Sequence, residues 1–224
     1  NFKTIIMKIY IGHDSKYPQA TRVCRKSIED HSEKGEHEIK YLDKKSLTKV
    51  GVYGRKDISG ESTEFSFTRF YVPLLSHYDG VSLFCDNDFV WKCNPTEIEQ
   101  YLRNKPVACV KHKLEKSPKL KMDGTPNVFY PRKCWSSLML FDNSKLKKLS
   151  KEYLDKASAQ ELHQFMWVED KEIGSVPLKY NHLVGYYNSH KYIKAIHYTN
   201  GGPWFEKHKE GELSEEWWNV YNSL

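Results

Sequence analysis

Two aspartates interrupt an apolar run in Val81-Ser82-Leu83-Phe84-Cys85-Asp86-Asn87-Asp88-Phe89, and Val90-Trp91 resume it directly afterwards. The apolar part reads as a short buried strand, and the aspartates stand where it ends. Side chains two apart in extended chain share a face, so Asp86 and Asp88 aim two hard oxygen donors at one point. That pair suits Mg²⁺ or Mn²⁺, which take carboxylate oxygens and keep positions open for phosphate. Open α/β sheets also hold ligands beyond the carboxyl ends of their strands. Asp-Asn-Asp is an ordinary polar turn as well. The flanking apolar chain tips the reading towards metal, because carboxylates beside a buried strand are costly without a cation or donors. His197, at the end of Ala195-Ile196-His197-Tyr198 and just before a Gly-Gly turn, offers a third ligand. It is one of ten histidines, so its place near a strand end says little by itself.

The rest of the chain reads as alternating strands and helices. Residues 4–11 are Ile-rich and predict a buried first strand, ended by Gly12-His13-Asp14-Ser15. Residues 18–32 predict a helix with Pro18 at its start, and 38–42 a second strand. Residues 44–62 read as loop, 63–76 as an amphipathic helix, 95–103 as a helix and 107–111 as a strand. Residues 117–132 read as loop and 135–141 as a strand. Helices are expected over 144–153 and 157–168, and a last strand over 193–198. This order argues for an α/β fold with a mostly parallel sheet. No repeat, low-complexity tract or linker divides the 224 residues, so one domain over 1–224 is expected. The chain begins at Asn1 and not at Met, which leaves room for a longer natural protein.

Composition removes several alternatives. The net charge of +6 is modest and scattered, whereas nucleic-acid binders concentrate basic residues on one face; no nucleic-acid partner is expected. No apolar run approaches the roughly 20 residues of a membrane span, and no signal peptide is recognisable. The five cysteines are odd in number and form no CxxC pair. They read as reduced, and the location as cytoplasmic.

The order of the motifs carries a resemblance. Ser62-Thr63-Glu64-Phe65-Ser66-Phe67-Thr68-Arg69-Phe70-Tyr71-Val72-Pro73-Leu74-Leu75 followed by Leu83-Phe84-Cys85-Asp86-Asn87-Asp88 resembles the helix and D-x-D strand of glycosyltransferase family 8-like enzymes. Val176-Pro177-Leu178-Lys179-Tyr180-Asn181 is similar to their L-P-x-x-[WY]-N segment, and Ile196-His197-Tyr198-Thr199-Asn200-Gly201-Gly202-Pro203-Trp204 to their H-[FY]-x-G…P-W ending. The blocks Tyr130-Pro131-Arg132-Lys133, Trp135-Ser136-Ser137-Leu138-Met139-Leu140-Phe141 and His182-Leu183-Val184-Gly185-Tyr186-Tyr187 look like those of small bacterial and large-virus glycosyltransferase domains, in particular those of chlorovirus capsid glycosylation.

The resemblance implies a GT-A fold, a UDP-sugar donor, a glycan or glycoprotein acceptor and Mn²⁺ held by Asp86, Asp88 and His197. It implies that Gly12, His13, Asp14 and Tyr17 hold uridine, that Arg69 and Asn87 lie by the donor, and that Gln164 is the second member of a D-Q pair. His163 stands where the family has the aspartate of that pair. Gly202 stands where the family often has a lysine reaching the pyrophosphate, and backbone N–H groups of Gly201 and Gly202 are expected to replace it as an anion nest. UDP-glucose is the expected donor, with UDP-rhamnose the alternative. Family 8 enzymes retain anomeric configuration without a protein base; an inverting enzyme would need one, with Asp123, Asp142 and Asp170 as candidates. Sugar contacts are expected from Trp135, Trp204, Lys111, His112, Ser136 and Ser137. Rival readings of the same aspartates are a metal-dependent nucleotide phosphohydrolase and a non-catalytic nucleotide-sugar-binding module.

Overall fold

The computed structural model describes residues 7–56, 61–114, 130–188 and 192–224. Its elements, in chain order, are β1 (Met7–Gly12), α1 (Pro18–Glu29), β2 (His37–Leu42), α2 (Lys44–Lys49), α3 (Val72–Leu75), β3 (Val81–Cys85), β4 (Phe89–Trp91), β5 (Val107–Cys109), β6 (Leu138–Asp142), α4 (Lys151–Lys156), α5 (Ala159–His163), β7 (Ile173–Ser175), β8 (His182–Leu183), β9 (Ala195–His197) and α6 (Ser214–Tyr221). Short 3₁₀ turns join several of them.

A six-stranded sheet runs in the order β2-β1-β3-β6-β5-β7. The β1–β2, β1–β3 and β5–β7 pairs are parallel, and β6 is antiparallel to both neighbours. This is the expected α/β architecture with a mostly parallel mixed sheet. Side-chain alternation divides each central strand between two cores. Tyr10, Phe84, Met139 and Phe141 enter one, with Phe65, Phe67, Phe70 and Tyr71. Ile9, Ile11, Leu83, Cys85 and Leu140 enter the other, with Cys24 and Ile28 of α1. Covering both faces is what makes these strands read as continuous apolar runs.

A second sheet, β4-β9-β8, sets the site. The chain turns at Asp86-Asn87-Asp88 from β3 into β4, and β4 pairs antiparallel with β9 so that Phe89 faces His197. The Tyr198 amide donates to the Asp88 carbonyl at 3.0 Å. The distant histidine is thereby clamped beside the aspartates by backbone pairing.

Several predicted helices are shorter than their patterns suggested. Residues 63–76 form a 3₁₀ turn over Thr68–Tyr71 and then α3, restarted by Pro73, which supplies no N–H to a continuous helix. Ser150 caps α4 by accepting the Tyr153 amide, which divides the segment predicted at 144–153. Ser158 and Glu161 form a capping box at the start of α5, and Phe165, at φ 56°, stops the segment predicted at 157–168. The predicted strand 135–141 opens as a 3₁₀ turn after Cys134, at φ 65°, and residues 95–103 are mostly 3₁₀ helix. The predicted loop 44–62 contains α2, capped by Asp43. Residues 4–6, most of the predicted loop 117–132, and Asp123 lie outside the described residues. Among those described, no helix is long and apolar enough to cross a membrane.

Candidate active site

A cavity of about 710 Å³ opens beyond the carboxyl ends of β1 and β3. Asp14, Tyr17, Arg69, Asp86, Asn87 and Asp88 line it, and so do Ser136, Ser137, His163, Gln164 and His197. Gly12, His13, Gly201 and Gly202 do not. A shallower groove of about 870 Å³, between Lys209 and Asn219, holds none of the predicted residues.

Asp86, Asp88 and His197 each place a ligand atom within 4.8 Å of the others. His197 Nε2 lies 3.3 Å from Asp88 Oδ1, and the imidazole is almost fully buried against the Phe89 ring at 4.5 Å. Asp86 Oδ1 and Asp88 Oδ1 are both buried, and the charged contacts beside them, from Arg69 Nη1 at 2.9 Å and His197 Nε2 at 3.3 Å, do not have hydrogen-bond geometry. Buried, unsatisfied carboxylate oxygens are expensive. Accordingly burial, followed by the charge of Asp88, drives the Asp86 carboxyl upward, against the opposing pull of Arg69 and His197. Two hard carboxylates and one imidazole around a shared point fit Mn²⁺ or Mg²⁺.

Arg69 is the permanent cation of this corner. Its Nη1 lies 2.9 Å from Asp86 Oδ1 and donates to the Ser136 carbonyl at 2.8 Å, while Nε donates to the Phe65 carbonyl at 3.3 Å. The guanidinium rests on the rings of Phe65 and Phe84.

The β1 tip shapes the next part of the wall. Gly12 has no room for a side chain, since a Cβ would lie 2.5 Å from the Phe65 ring. Asp14, 2% exposed, accepts the Lys16 amide at 3.0 Å and the Glu64 amide at 3.4 Å. Asn87 donates to Thr21 Oγ1 at 3.3 Å, and His13 Nδ1 bonds the same hydroxyl at 3.2 Å. His13 thus braces α1 behind the cavity wall. Tyr17 packs on Phe205 and Trp204, with ring centres at 5.0 and 6.3 Å.

The glycine pair does not form the expected anion nest. The Gly201 N–H is spent on the Tyr198 carbonyl at 2.7 Å. At Gly202 a Cβ would lie 1.8 Å from the Trp204 ring, so the indole occupies the space a lysine there would need. Lys16 and Lys133 line the cavity instead. Neither was singled out for this role from sequence, although Lys133 belongs to the Tyr130–Lys133 block.

On the far wall His163 Nδ1 and Ser136 Oγ are 3.0 Å apart, and the imidazole meets Phe70 and Phe67 edge-on. Gln164 stands beside it, its carbonyl accepting Arg132 Nη1 at 2.7 Å. Trp204 also lines the cavity, but Trp135, Lys111 and His112 do not. Trp135 Nε1 donates to the His112 carbonyl at 3.0 Å, and Lys111 Nζ to the Ile173 carbonyl at 2.8 Å. His112 bonds the Tyr187 hydroxyl at 3.0 Å, and burial pushes its imidazole down to about 3. Lys111 and His112 follow β5, which ends at Cys109, two residues short of the predicted strand, and Trp135 opens the 3₁₀ turn after Cys134. Asp142 pairs with Lys145 and Asp170 with Arg132, both away from the cavity.

No family model matches the chain. Protein CDI of Arabidopsis thaliana is 38% identical over 220 residues, covering 95% of this chain and 85% of that protein. The apo structure of the bifunctional glycosyltransferase WbbM superposes with a TM-score of 0.71 at 16% identity, over 99% of this chain and 50% of that one; this chain spans about half of its length. The galactosyltransferase LgtC, solved with donor and acceptor sugar analogs, gives 0.60 at 14% identity, over 97% of this chain and 96% of that one. The fold is therefore that of the GT-A glycosyltransferases. Identity of 38% over nearly the whole length places the chain in a narrower group: it belongs to the family of Arabidopsis Protein CDI.

Proposed function

We propose that the chain is a divalent-metal-dependent glycosyltransferase that moves a sugar from a UDP-sugar to a glycan acceptor with retention of configuration. The observation that carries this reading is the convergence of Asp86, Asp88 and His197 in a cavity at the sheet's carboxyl end. The order of the motifs extends the kinship to family 8. UDP-glucose is the default donor, and the five free cysteines agree with a cytosolic setting.

Breaking the anomeric C–O bond leaves negative charge on the departing diphosphate. Bound at the trio, Mn²⁺ would supply positive charge opposite that diphosphate. Lys16 and Lys133 line the same cavity and add cationic charge where the family's lysine is missing. Asp14 and Tyr17 form the uridine end. His163, Ser136 and Gln164 face the transferred sugar, with Trp204 offering an apolar ring to its C–H face.

The acceptor hydroxyl must lose a proton. Among the described residues, the carboxylates lining the cavity are Asp14, Glu61, Asp86 and Asp88. Asp14 is held by backbone amides, and Glu61 pairs with Lys44 at 2.5 Å and accepts the Tyr53 hydroxyl at 3.2 Å. The other two form the metal trio. Among the described residues these carboxylates are all otherwise engaged, which supports the family 8 reading in which the leaving phosphate oxygen takes the proton, on the face from which the acceptor attacks. That path retains configuration. NMR of the product linkage tests it, since an inverted linkage rules it out. Measuring UDP release from UDP-glucose with and without acceptor sugars, in Mn²⁺ and in EDTA, tests the activity. Acceptor-dependent, Mn²⁺-dependent release supports transfer. Release of equal rate without acceptor identifies a phosphohydrolase and overturns the proposal.

A further inference from the structure

We infer that Asn181 is a positioning residue that sets the tautomer and the aim of His197, an inference that rests on reading Asp86, Asp88 and His197 as a metal site. Asn181 and His197 are 0% and 1% exposed, and Ser137 is 3% exposed. His197 Nδ1 lies 2.9 Å from Asn181 Oδ1. Asn181 Nδ2 donates to Ser137 Oγ at 2.9 Å, and Ser137 Oγ donates to the Cys134 carbonyl at 2.7 Å.

The chain of bonds has a direction. The Cys134 carbonyl only accepts, so the Ser137 hydroxyl proton is committed to it. Ser137 Oγ then faces Asn181 as an acceptor, which fixes the amide with its nitrogen towards Ser137 and its oxygen towards His197. An amide oxygen only accepts, so the proton on His197 sits at Nδ1. The lone pair is left on Nε2, the nitrogen 3.3 Å from Asp88 Oδ1 and the atom a metal must use. With a cation held between Nε2 and Asp88, the opposite tautomer would leave Nδ1 and the amide oxygen as two acceptors facing each other in a buried site, which is costly.

Ser137 couples this relay to the aspartates, since its own carbonyl accepts the Asp86 amide at 3.0 Å. One residue thus holds both the backbone of the first carboxylate ligand and the support of the imidazole. The hydroxyl predicted to touch the donor is used inwards. Asn181 is placed for the task by the turn before β8, whose Leu183 pairs with His197 itself.

The test combines ¹⁵N NMR of the protein saturated with diamagnetic Mg²⁺ with Mn²⁺ titration followed by EPR. In wild type, the His197 resonances, assigned by their loss in His197→Ala, are expected to show Nδ1 protonated and Nε2 unprotonated; the reverse pattern overturns the inference. Asn181→Leu is expected to lose that pattern and to weaken Mn²⁺ binding about 10- to 100-fold, the usual cost of removing such an outer-shell partner. Added to His197→Ala, Asn181→Leu is expected to cost nothing further; an additive loss shows that Asn181 acts elsewhere and overturns the inference. Should Asn181→Leu fail to fold, Ser137→Ala, which removes the support of the amide, carries the same comparison. Wild type that binds no Mn²⁺ overturns the metal reading itself, an outcome distinct from wild type and Asn181→Leu binding Mn²⁺ equally.

Discussion

Alanine at Gly202 places a methyl carbon 1.8 Å from one Trp204 ring atom and 2.4 Å from two others. The indole has little freedom to retreat, because it packs on Tyr17, Phe205 and Trp217 at centre distances of 6.3, 5.7 and 5.5 Å. Gly202 is not in the left-handed region, so the cost is contact and not backbone strain. Overpacking of this kind costs about 1–3 kcal/mol. Replacing glycine stiffens the unfolded chain and returns about 0.4–1 kcal/mol. Taking the middle of both ranges, the net is a destabilisation of about 1.3 kcal/mol, which lowers Tm by about 3–5 °C in a chain of this size. Differential scanning calorimetry of Gly202→Ala, Trp204→Ala and the double variant reads it. With the indole gone, alanine at 202 is expected to be neutral or stabilising, a coupling of about 1–3 kcal/mol between the two sites. An unchanged Tm in Gly202→Ala, or the same loss in both backgrounds, refutes the reasoning. Gly202→Lys then also fails to restore a family-like lysine.

Two further outcomes are expected. Asp88→Ala keeps the fold, judged by circular dichroism, and loses Mn²⁺-stimulated turnover by about 10²-fold or more, because a preorganised electrostatic partner is removed; wild-type rates in that variant remove Asp88 from the mechanism. The His112 imidazole, pushed down to about 3 by burial, is neutral when folded and takes a proton when unfolded below about pH 6.5. Its folded value lies below its unfolded one, so its contribution is fully present above about pH 6.5 and is lost as pH falls towards 3, at up to about 1.4 kcal/mol per pH unit. Urea unfolding of His112→Gln between pH 7 and pH 4 should show a shallower decline than wild type; parallel curves contradict this.

The legible parts of the sequence were those decided by local periodicity. Val81–Cys85 alternates between two cores and ends in carboxylates, so strand and site could be read together. His197 was legible only as a strand-end histidine, because its approach to Asp88 depends on β4 pairing with β9, a contact that no local pattern encodes. Residues 63–76 misled because their mixture of polar and aromatic residues reads as amphipathic, whereas Ser66, Thr68 and Arg69 are buried along with Phe65, Phe67, Phe70 and Tyr71, leaving no wet face. Gly202 suggested an anion nest because it stands where the resembling family has a lysine, whereas the space a side chain there would need is filled by an indole two residues on. Asn181 lay inside a quoted motif, but its role appears only when Ser137 and His197 converge on it. Lys111 and His112 seemed to sit at a strand end that lies two residues earlier.

The most direct measurement is anomalous diffraction at the manganese edge from crystals grown with UDP and Mn²⁺. A single peak bounded by Asp86, Asp88 and His197, in contact with the diphosphate, is the expected result. A peak elsewhere, or UDP bound in the cavity with no metal between it and these three side chains, contradicts the account.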